Sequence, residues 1–167
     1  MIGETRTLHP AFRMAIDRIL HDMRERGWDP VIGSGMRTNE QQDALFAQGR
    51  RPLKEVNELR KQAGLPPISA QANKGTVTPL KGGQSNHNLT HVLLPHGDVA
   101  LDVASGYAVD IVDRKRGWEI PDKKFWTDLG LLAKKYGCRW GGDFKRRDVA
   151  HVEMKLIEGA PITSVVV

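Results

Sequence analysis

The chain of 167 residues has neither the paired cysteines that stabilise many small secreted domains nor an apolar segment that could anchor it in a membrane. Cys138 is its one cysteine, so no intramolecular disulfide can form and cysteine-based zinc sites are excluded. No apolar run is long enough to span a bilayer, and the first residues lack the apolar core of a signal peptide. We therefore expect synthesis in the cytoplasm, and a single domain over residues 1–167 that buries its own core without a structural metal.

The chain also lacks the sequence features of nucleic-acid binding proteins, although it is basic. The formal net charge is +5, which suggests a polyanionic partner such as a nucleic acid or a bacterial envelope. The best basic cluster, Lys145-Arg146-Arg147, is short and is followed at once by Asp148, and no aromatic residues are interleaved with basic ones. These absences argue against nucleic acid, but charge alone does not identify the partner.

Hydrophobic periodicity predicts helices and short strands. Helices are predicted over 10–25, over 39–48, in a weaker pattern over 50–63, and after a cap at Asp122 through about 136. Strands are predicted over 28–32, 107–112, 138–140 and 149–154. Thr38 followed by Gln41 is a capping box for the second helix. Residues 64–84, rich in Pro, Gly, Ser, Thr and Asn, have no regular period, and loops of that length in small domains are usually functional or mobile.

Two of the predicted strands place chemically useful side chains on the face opposite the core. Strand alternation puts Val109 and Ile111 on one face and Asp110 on the other, and it likewise points His151 away from Val152. Two imidazoles and one carboxylate from separate segments form a typical site for a catalytic divalent metal, so His87, Asp110 and His151 are a candidate set.

Other side chains between His87 and Asp110 could in principle replace a member of this set. They are His91, His96, Asp98 and Asp102. A metal-activated water also needs a carboxylate to take its proton, and Asp148, at the entrance to the strand of His151, is our candidate. Glu153 lies on the face of His151, where we expect it to orient a ligand or to meet solvent.

Four motifs in this order resemble a known family of zinc peptidases. They are Ser34-Gly-Met-Arg37-Thr with Gln42, Ser85-x-His87 continued by Gly106-Tyr-Ala-Val-Asp110, Trp140-Gly-Gly-Asp143-Phe, and Asp148-x-x-His151. The family includes phage L-alanyl-D-glutamate endolysins and D-alanyl-D-alanine carboxypeptidases and dipeptidases. The similarity runs from about residue 8 to 155.

The resemblance implies a fold, a cofactor and residue roles. The fold would be a small α+β domain of the hedgehog/D-Ala-D-Ala peptidase type, with helices packed against an antiparallel sheet that carries the site. His87, Asp110 and His151 would bind Zn²⁺, and Asp148 would be the catalytic base and acid. The remaining site residues would act on the substrate: Arg37 would polarise the scissile carbonyl or hold substrate, and Ser85 and Gln42 would contribute to substrate binding.

The sequence departs from the family pattern between His87 and Asp110. Residues 90–105 look like an insertion, since their removal restores the family spacing of seven positions from histidine to aspartate. The insertion contains an imperfect copy of the aspartate motif, which makes Asp102 the rival ligand to Asp110. We favour Asp110 because Gly106, Ala108 and Asp110 keep the family spacing, and we expect the insertion to form a hairpin, a lid or a specificity loop.

The resemblance implies hydrolysis of the L-alanyl-D-glutamate bond in the peptidoglycan stem peptide, in an endolysin type of cell wall lysis. Without a signal peptide, such an enzyme would reach the wall through a holin or another release system, and we expect it to act there as a monomer. The alternatives are a D-alanyl-D-alanine carboxypeptidase or dipeptidase, and a catalytically degenerate wall-binding module. The insertion could have produced the last of these by disabling the site.

Overall fold

The computed structural model describes residues 8–88, 106–118 and 123–155, together with the backbone of residues 92–93 and 99–100. The helices are α1 (Pro10–Glu25), α2 (Asn39–Ala47), α3 (Leu53–Gln62) and α4 (Lys123–Lys135). The strands are β1 (Pro30–Ser34), β2 (Val92–Leu93), β3 (Val99–Ala100), β4 (Ala108–Asp113), β5 (Cys138–Trp140) and β6 (His151–Met154). The chain divides into two compact units, residues 37–89 and the remainder on either side of them.

The larger unit is built on a four-stranded sheet in the order β1-β4-β6-β5, with every neighbouring pair antiparallel. The inner strands are β4 and β6, and all six residues of β4 are buried. Between Ile32 and Ser34 the register of β1 against β4 shifts, which marks a bulge. The predicted antiparallel sheet is therefore confirmed, and its two inner strands are those expected to carry the site.

Helices α1 and α4 supply the other layer of this unit. Helix α1 buries Phe12, Ile16, Ile19, Leu20 and Met23, a stripe at helical spacing, in a core shared with Ile111 of β4 and with α4. Pro10 occupies the first turn, where a missing N–H costs nothing, and Gly27 follows with φ of +86°, a conformation that favours glycine. The helix predicted over 10–25 is thus confirmed at both ends.

The smaller unit contains α2, α3 and the long irregular segment after them. The capping box of α2 is present: Thr38 Oγ1 accepts from the Gln41 N–H, and Gln41 Oε1 accepts from the Thr38 N–H. Asn57 of α3 donates to the Ile68 carbonyl and accepts from its N–H. Asn57 of α3 thus holds the backbone of this segment at Ile68, and the regular structure within residues 64–84 is one short 3₁₀ helix, Ala72–Lys74.

Several element boundaries differ from those predicted. Strand β1 continues to Ser34, through the predicted turn at Gly33–Gly35, and β6 begins only at His151 because Val149 and Ala150 lie in a turn. Strands β2 and β3, both within residues 90–105, pair antiparallel, which is compatible with the hairpin named among the alternatives for this segment. The predicted cap at Asp122 and the apolar tail 162–167 lie outside the described residues. None of the helices in the described ranges has the length and apolarity needed to cross a bilayer.

Leu129 and Leu131 of α4 provide a matched test of the core. Leu129 is fully buried, whereas Leu131 is 54% exposed. We expect Leu129→Ala to lower the free energy of unfolding by about 2–5 kcal/mol, because it removes buried methyl groups and leaves a cavity. Leu131→Ala should change that free energy by less than about 1 kcal/mol. Urea unfolding of the metal-free variants measures both, and equal losses would contradict the described packing.

Candidate metal centre

The register of the two inner strands brings a carboxylate and an imidazole together. Asp110 of β4 and His151 of β6 are directly opposed in the antiparallel pair, so their side chains lie on the same face of the sheet. His151 Nδ1 is 3.3 Å from Asp110 Oδ1. Both side chains are largely enclosed, with 8% of Asp110 and 12% of His151 exposed. Strand pairing alone therefore assembles two of the three predicted ligands.

The second nitrogen of His151 faces another carboxylate. Glu153 lies two residues further along β6, on the same face, and its Oε2 is 3.0 Å from His151 Nε2. Arg139 of β5 lies directly opposite Glu153 in the β5–β6 pair, and its Nη1 is 2.7 Å from Glu153 Oε1. Burial disfavours the protonated imidazole, but the hydrogen bonds to Asp110 and Glu153 outweigh it and raise the pKa of His151 to about 9.

His87 lies in a tight turn whose backbone is fixed from several directions. Ser85 Oγ accepts from the His87 N–H at 3.3 Å, and the Ser85 carbonyl accepts from the Asn88 N–H at 2.8 Å. The His87 carbonyl accepts from the Arg37 N–H, and Asn88 Nδ2 donates to the carbonyls of Arg37 and Thr38. Ser85 is 5% exposed and His87 is 3% exposed. Ser85 thus shapes the turn that presents His87.

His87, Asp110 and His151 form a group in which each residue offers one ligand atom, and these atoms all lie within 4.8 Å of one another. Two imidazoles and a carboxylate are a donor set typical of zinc. Ligands bound at 2.0–2.2 Å in tetrahedral geometry stand about 3.3–3.6 Å apart, which the distance between Asp110 and His151 already matches. The residues present therefore fit a zinc ion. The rival residues His91, His96, Asp98 and Asp102 lie outside the described residues.

Arg37 and Gln42 form a connected pair at the start of α2. Arg37 Nη1 donates to Gln42 Oε1 at 3.2 Å, and Gln42 Nε2 donates to Thr78 Oγ1 and to the Leu80 carbonyl. Gln42 is fully buried. The nitrogen of the Gln42 amide thus binds interior acceptors, and its oxygen holds the Arg37 guanidinium.

Asp148 lies in the turn that leads into β6, and its side chain is exposed. Its N–H donates to the Gly141 carbonyl, and its own carbonyl accepts from the His151 N–H. A Cβ at Gly141 would stand 2.3 Å from the Asp148 carbonyl oxygen and 2.9 Å from His151 Cβ. Only glycine allows this approach, so Gly141 sets the geometry of both Asp148 and His151.

A family described as D-alanyl-D-alanine carboxypeptidase matches residues 101–154, which include Asp110, Asp148 and His151. The peptidoglycan L-alanyl-D-glutamate endopeptidase CwlK of Bacillus subtilis (strain 168) is 31% identical over 148 residues, covering 88% of this chain and 73% of that protein. The chain belongs to this peptidase family. It is a metallopeptidase, and the predicted resemblance is confirmed.

Solved structures support the fold of the metallopeptidase. A mutant of the vancomycin resistance D,D-pentapeptidase VanY, in complex with Zn(II), aligns with a TM-score of 0.51 at 19% identity, over 88% of this chain and 72% of that chain. VanYB in complex with D-alanine-D-alanine aligns with a TM-score of 0.50 at 20% identity, over 88% and 71% of the two chains. The predicted α+β peptidase fold is confirmed.

Three residues at the site escaped the sequence analysis: Arg139, Asn88 and Thr78. The sequence predicts only a short strand around Arg139, and the pairing of Arg139 with Glu153 depends on the register of β5 against β6. Thr78 lies in a segment without periodicity, 36 positions from Gln42. Asn88 directly follows the serine-histidine motif, and that adjacency was the one local signal that could have identified it.

The raised pKa of His151 makes metal binding by the metallopeptidase depend on pH. A ligand imidazole must be neutral, so below about pH 9 the metal has to displace a proton from His151. In the metal-free protein, an NMR titration of the imidazole should therefore show a midpoint near 9, and the metal affinity should rise with pH up to that value. A midpoint below the ordinary value of about 6.5 would contradict the described hydrogen bonds.

Proposed function

We propose that the chain is a zinc peptidase that hydrolyses the L-alanyl-D-glutamate bond of the peptidoglycan stem peptide. The observation that carries the proposal is the group of His87, Asp110 and His151, whose ligand atoms lie within 4.8 Å of one another. The 31% identity to a protein named as a peptidoglycan L-alanyl-D-glutamate endopeptidase, across most of both chains, supports this choice of bond.

His87, Asp110 and His151 would hold the zinc ion. When bound, zinc acts as a Lewis acid that acidifies water and polarises a carbonyl group. Asp110 and His151 are fixed by strand pairing and His87 by its turn, so the donor set is arranged before any metal arrives. Such preorganisation favours metal binding, because little conformational entropy is lost when the ligands are already in place.

Asp148 would take a proton from the attacking water and deliver it to the leaving amine. Its exposed carboxylate stands three residues before His151, in a turn whose backbone is held by Gly141 and by the His151 N–H. A turn residue is not bound by strand alternation, so its side chain can point toward the face that carries the ligands.

Arg37 would bind the substrate or polarise the scissile carbonyl, with a charge that is permanent at any relevant pH. Ser85 and Gln42 would contribute to the substrate site by holding its walls. Ser85 fixes the turn of His87, and Gln42 holds Arg37 at 3.2 Å. Both side chains are almost completely buried, which favours this indirect contribution over direct contact with a peptide.

We further propose that the enzyme acts on the cell wall as one domain and as a monomer, after a holin or another system has released it. Its net charge of +5 would favour association with an anionic wall. This is the endolysin mode of action. A second candidate activity is D-alanyl-D-alanine carboxypeptidase or dipeptidase, which the description of the matching family favours.

Digestion of purified muropeptides distinguishes the two activities. We expect mass analysis of the products to reveal new N-terminal D-glutamate, because the proposed enzyme cuts after L-alanine. Release of D-alanine would instead establish the carboxypeptidase. Products of neither kind, from a protein that carries stoichiometric zinc, would indicate a degenerate wall-binding module. A chelator should abolish whichever cleavage is seen, and zinc should restore it.

Replacement of Asp148 separates catalysis from metal binding. We expect Asp148→Ala to bind zinc like the wild type but to lower kcat by about 10²–10⁴-fold, since general acid-base catalysis is lost. Asp143→Ala is the matched control, because Asp143 is an exposed carboxylate nearby that pairs with Lys134. Zinc content and kcat are measured on both variants, and undiminished turnover by Asp148→Ala would refute its role.

A further inference from the structure

We propose that Glu153 and Arg139 are positioning residues that present Nδ1 of His151, rather than Nε2, to the metal. The inference rests on the proposed zinc function and deepens it, because it concerns how one ligand of that site is oriented. It is carried by four side chains of one sheet, whose mutual geometry is set by strand register.

Both nitrogens of His151 lie close to a carboxylate, but the two carboxylates differ in kind. Asp110, next to Nδ1, belongs to the group of three potential ligands, whereas Glu153, next to Nε2, does not. An imidazole that binds a metal through one nitrogen carries its proton on the other, and that N–H needs an acceptor. Nδ1 is therefore the metal side of the ring, and Nε2 is the proton side.

Distance supports the same assignment. Nδ1 and Asp110 Oδ1 are 3.3 Å apart, close to the separation of about 3.3–3.6 Å between neighbouring ligands of tetrahedral zinc. Nε2 and Glu153 Oε2 are 3.0 Å apart, an ordinary length for an N–H donating to a carboxylate. The distance from Nδ1 to Asp110 therefore fits two ligands of one ion, and the distance from Nε2 to Glu153 fits a hydrogen bond.

Glu153 is fixed as an acceptor by its own partner. Its side chain is 7% exposed, and its two oxygens have different partners: Oε1 is bound by Arg139 at 2.7 Å, and Oε2 faces His151. The ion pair with Arg139 orients the Glu153 carboxylate, and a charged acceptor binds an imidazole N–H more strongly than a neutral one. Ala108 of β4 lies directly opposite Glu153 in the β4–β6 pair. Its small side chain leaves room for the Glu153 carboxylate between Arg139 and His151.

Phe144 holds Arg139 and His151 in their places. The Arg139 guanidinium carbon lies 4.9 Å from the centre of the Phe144 ring, and the same ring packs against the His151 imidazole at 5.7 Å between centres. Arg139, although 53% exposed, is therefore held at both ends of its charged group, by an aromatic face and by a carboxylate. The ring of His151 is confined by Phe144 and by Glu153.

A graded series of variants tests the role of Glu153 through metal affinity, which is read without any substrate. Glu153→Gln keeps an acceptor oxygen but loses the charge, and we expect zinc affinity to fall about tenfold; Glu153→Leu removes the acceptor, and we expect a fall of about 100-fold. Arg139→Met should give a smaller loss of the same sign. Competition with a chromogenic chelator measures these affinities.

Asp143→Asn and Lys134→Met are the matched controls, because they remove an exposed ion pair of 2.9 Å that lies in the same unit and belongs to neither the proposed ligands nor the Glu153–Arg139 pair. Both control variants should bind zinc like the wild type. Circular dichroism of the metal-free variants verifies that each of them is folded. Unchanged zinc affinity in folded Glu153→Leu would overturn the role of Glu153.

NMR of the wild-type protein with isotope-labelled histidine tests the assignment itself and needs no variant. In the zinc-loaded protein we expect His151 to carry its proton on Nε2 and to bind the metal through Nδ1. Metal on Nε2 would overturn the inference while leaving the zinc peptidase intact. Failure of the wild type to bind zinc at all would overturn the proposed function first, so the two failures are distinguishable.

Discussion

The cross-strand pair of Asp110 and His151 is the interaction on which the site depends. In an antiparallel sheet, directly opposed residues have a fixed separation, so the carboxylate and the imidazole meet without help from any loop. The charges around the imidazole are balanced: Asp110 and Glu153 supply two carboxylates, and a protonated His151 and Arg139 supply two cations. A bound metal would replace the imidazole proton with a dication, which the buried carboxylates would favour.

This charge arrangement is stable only because the backbone around it is rigid. The hydrophobic core that α1 and α4 build against the sheet includes Val109 and Val152, which alternate with the site residues on β4 and β6. Gly141 admits the Asp148 carbonyl at a distance that any side chain would block. The same strands therefore stabilise the fold with one face and orient the ligands with the other.

Features of the fold that depend on local sequence pattern could be predicted. Helix α1 follows from its apolar stripe between Pro10 and Gly27, and the capping box of α2 follows from Thr38 and Gln41. The pairing of Arg139 with Glu153 could not be predicted in this way, because nothing local fixes the register of β5 against β6. Gln42 illustrates the same limit, since a residue identified by its motif as part of the substrate site is fully buried and acts on Arg37.

The amino-acid sequence by itself determined which family the chain belongs to and predicted the residues of the candidate site, because the family motifs keep their order along the chain. Period-two alternation also settled that Asp110 and His151 lie opposite the core. Only the tertiary structure decided which carboxylate faces which nitrogen of His151. That choice depends on strand register and on the packing of Phe144, and both are set by contacts between residues far apart in the chain.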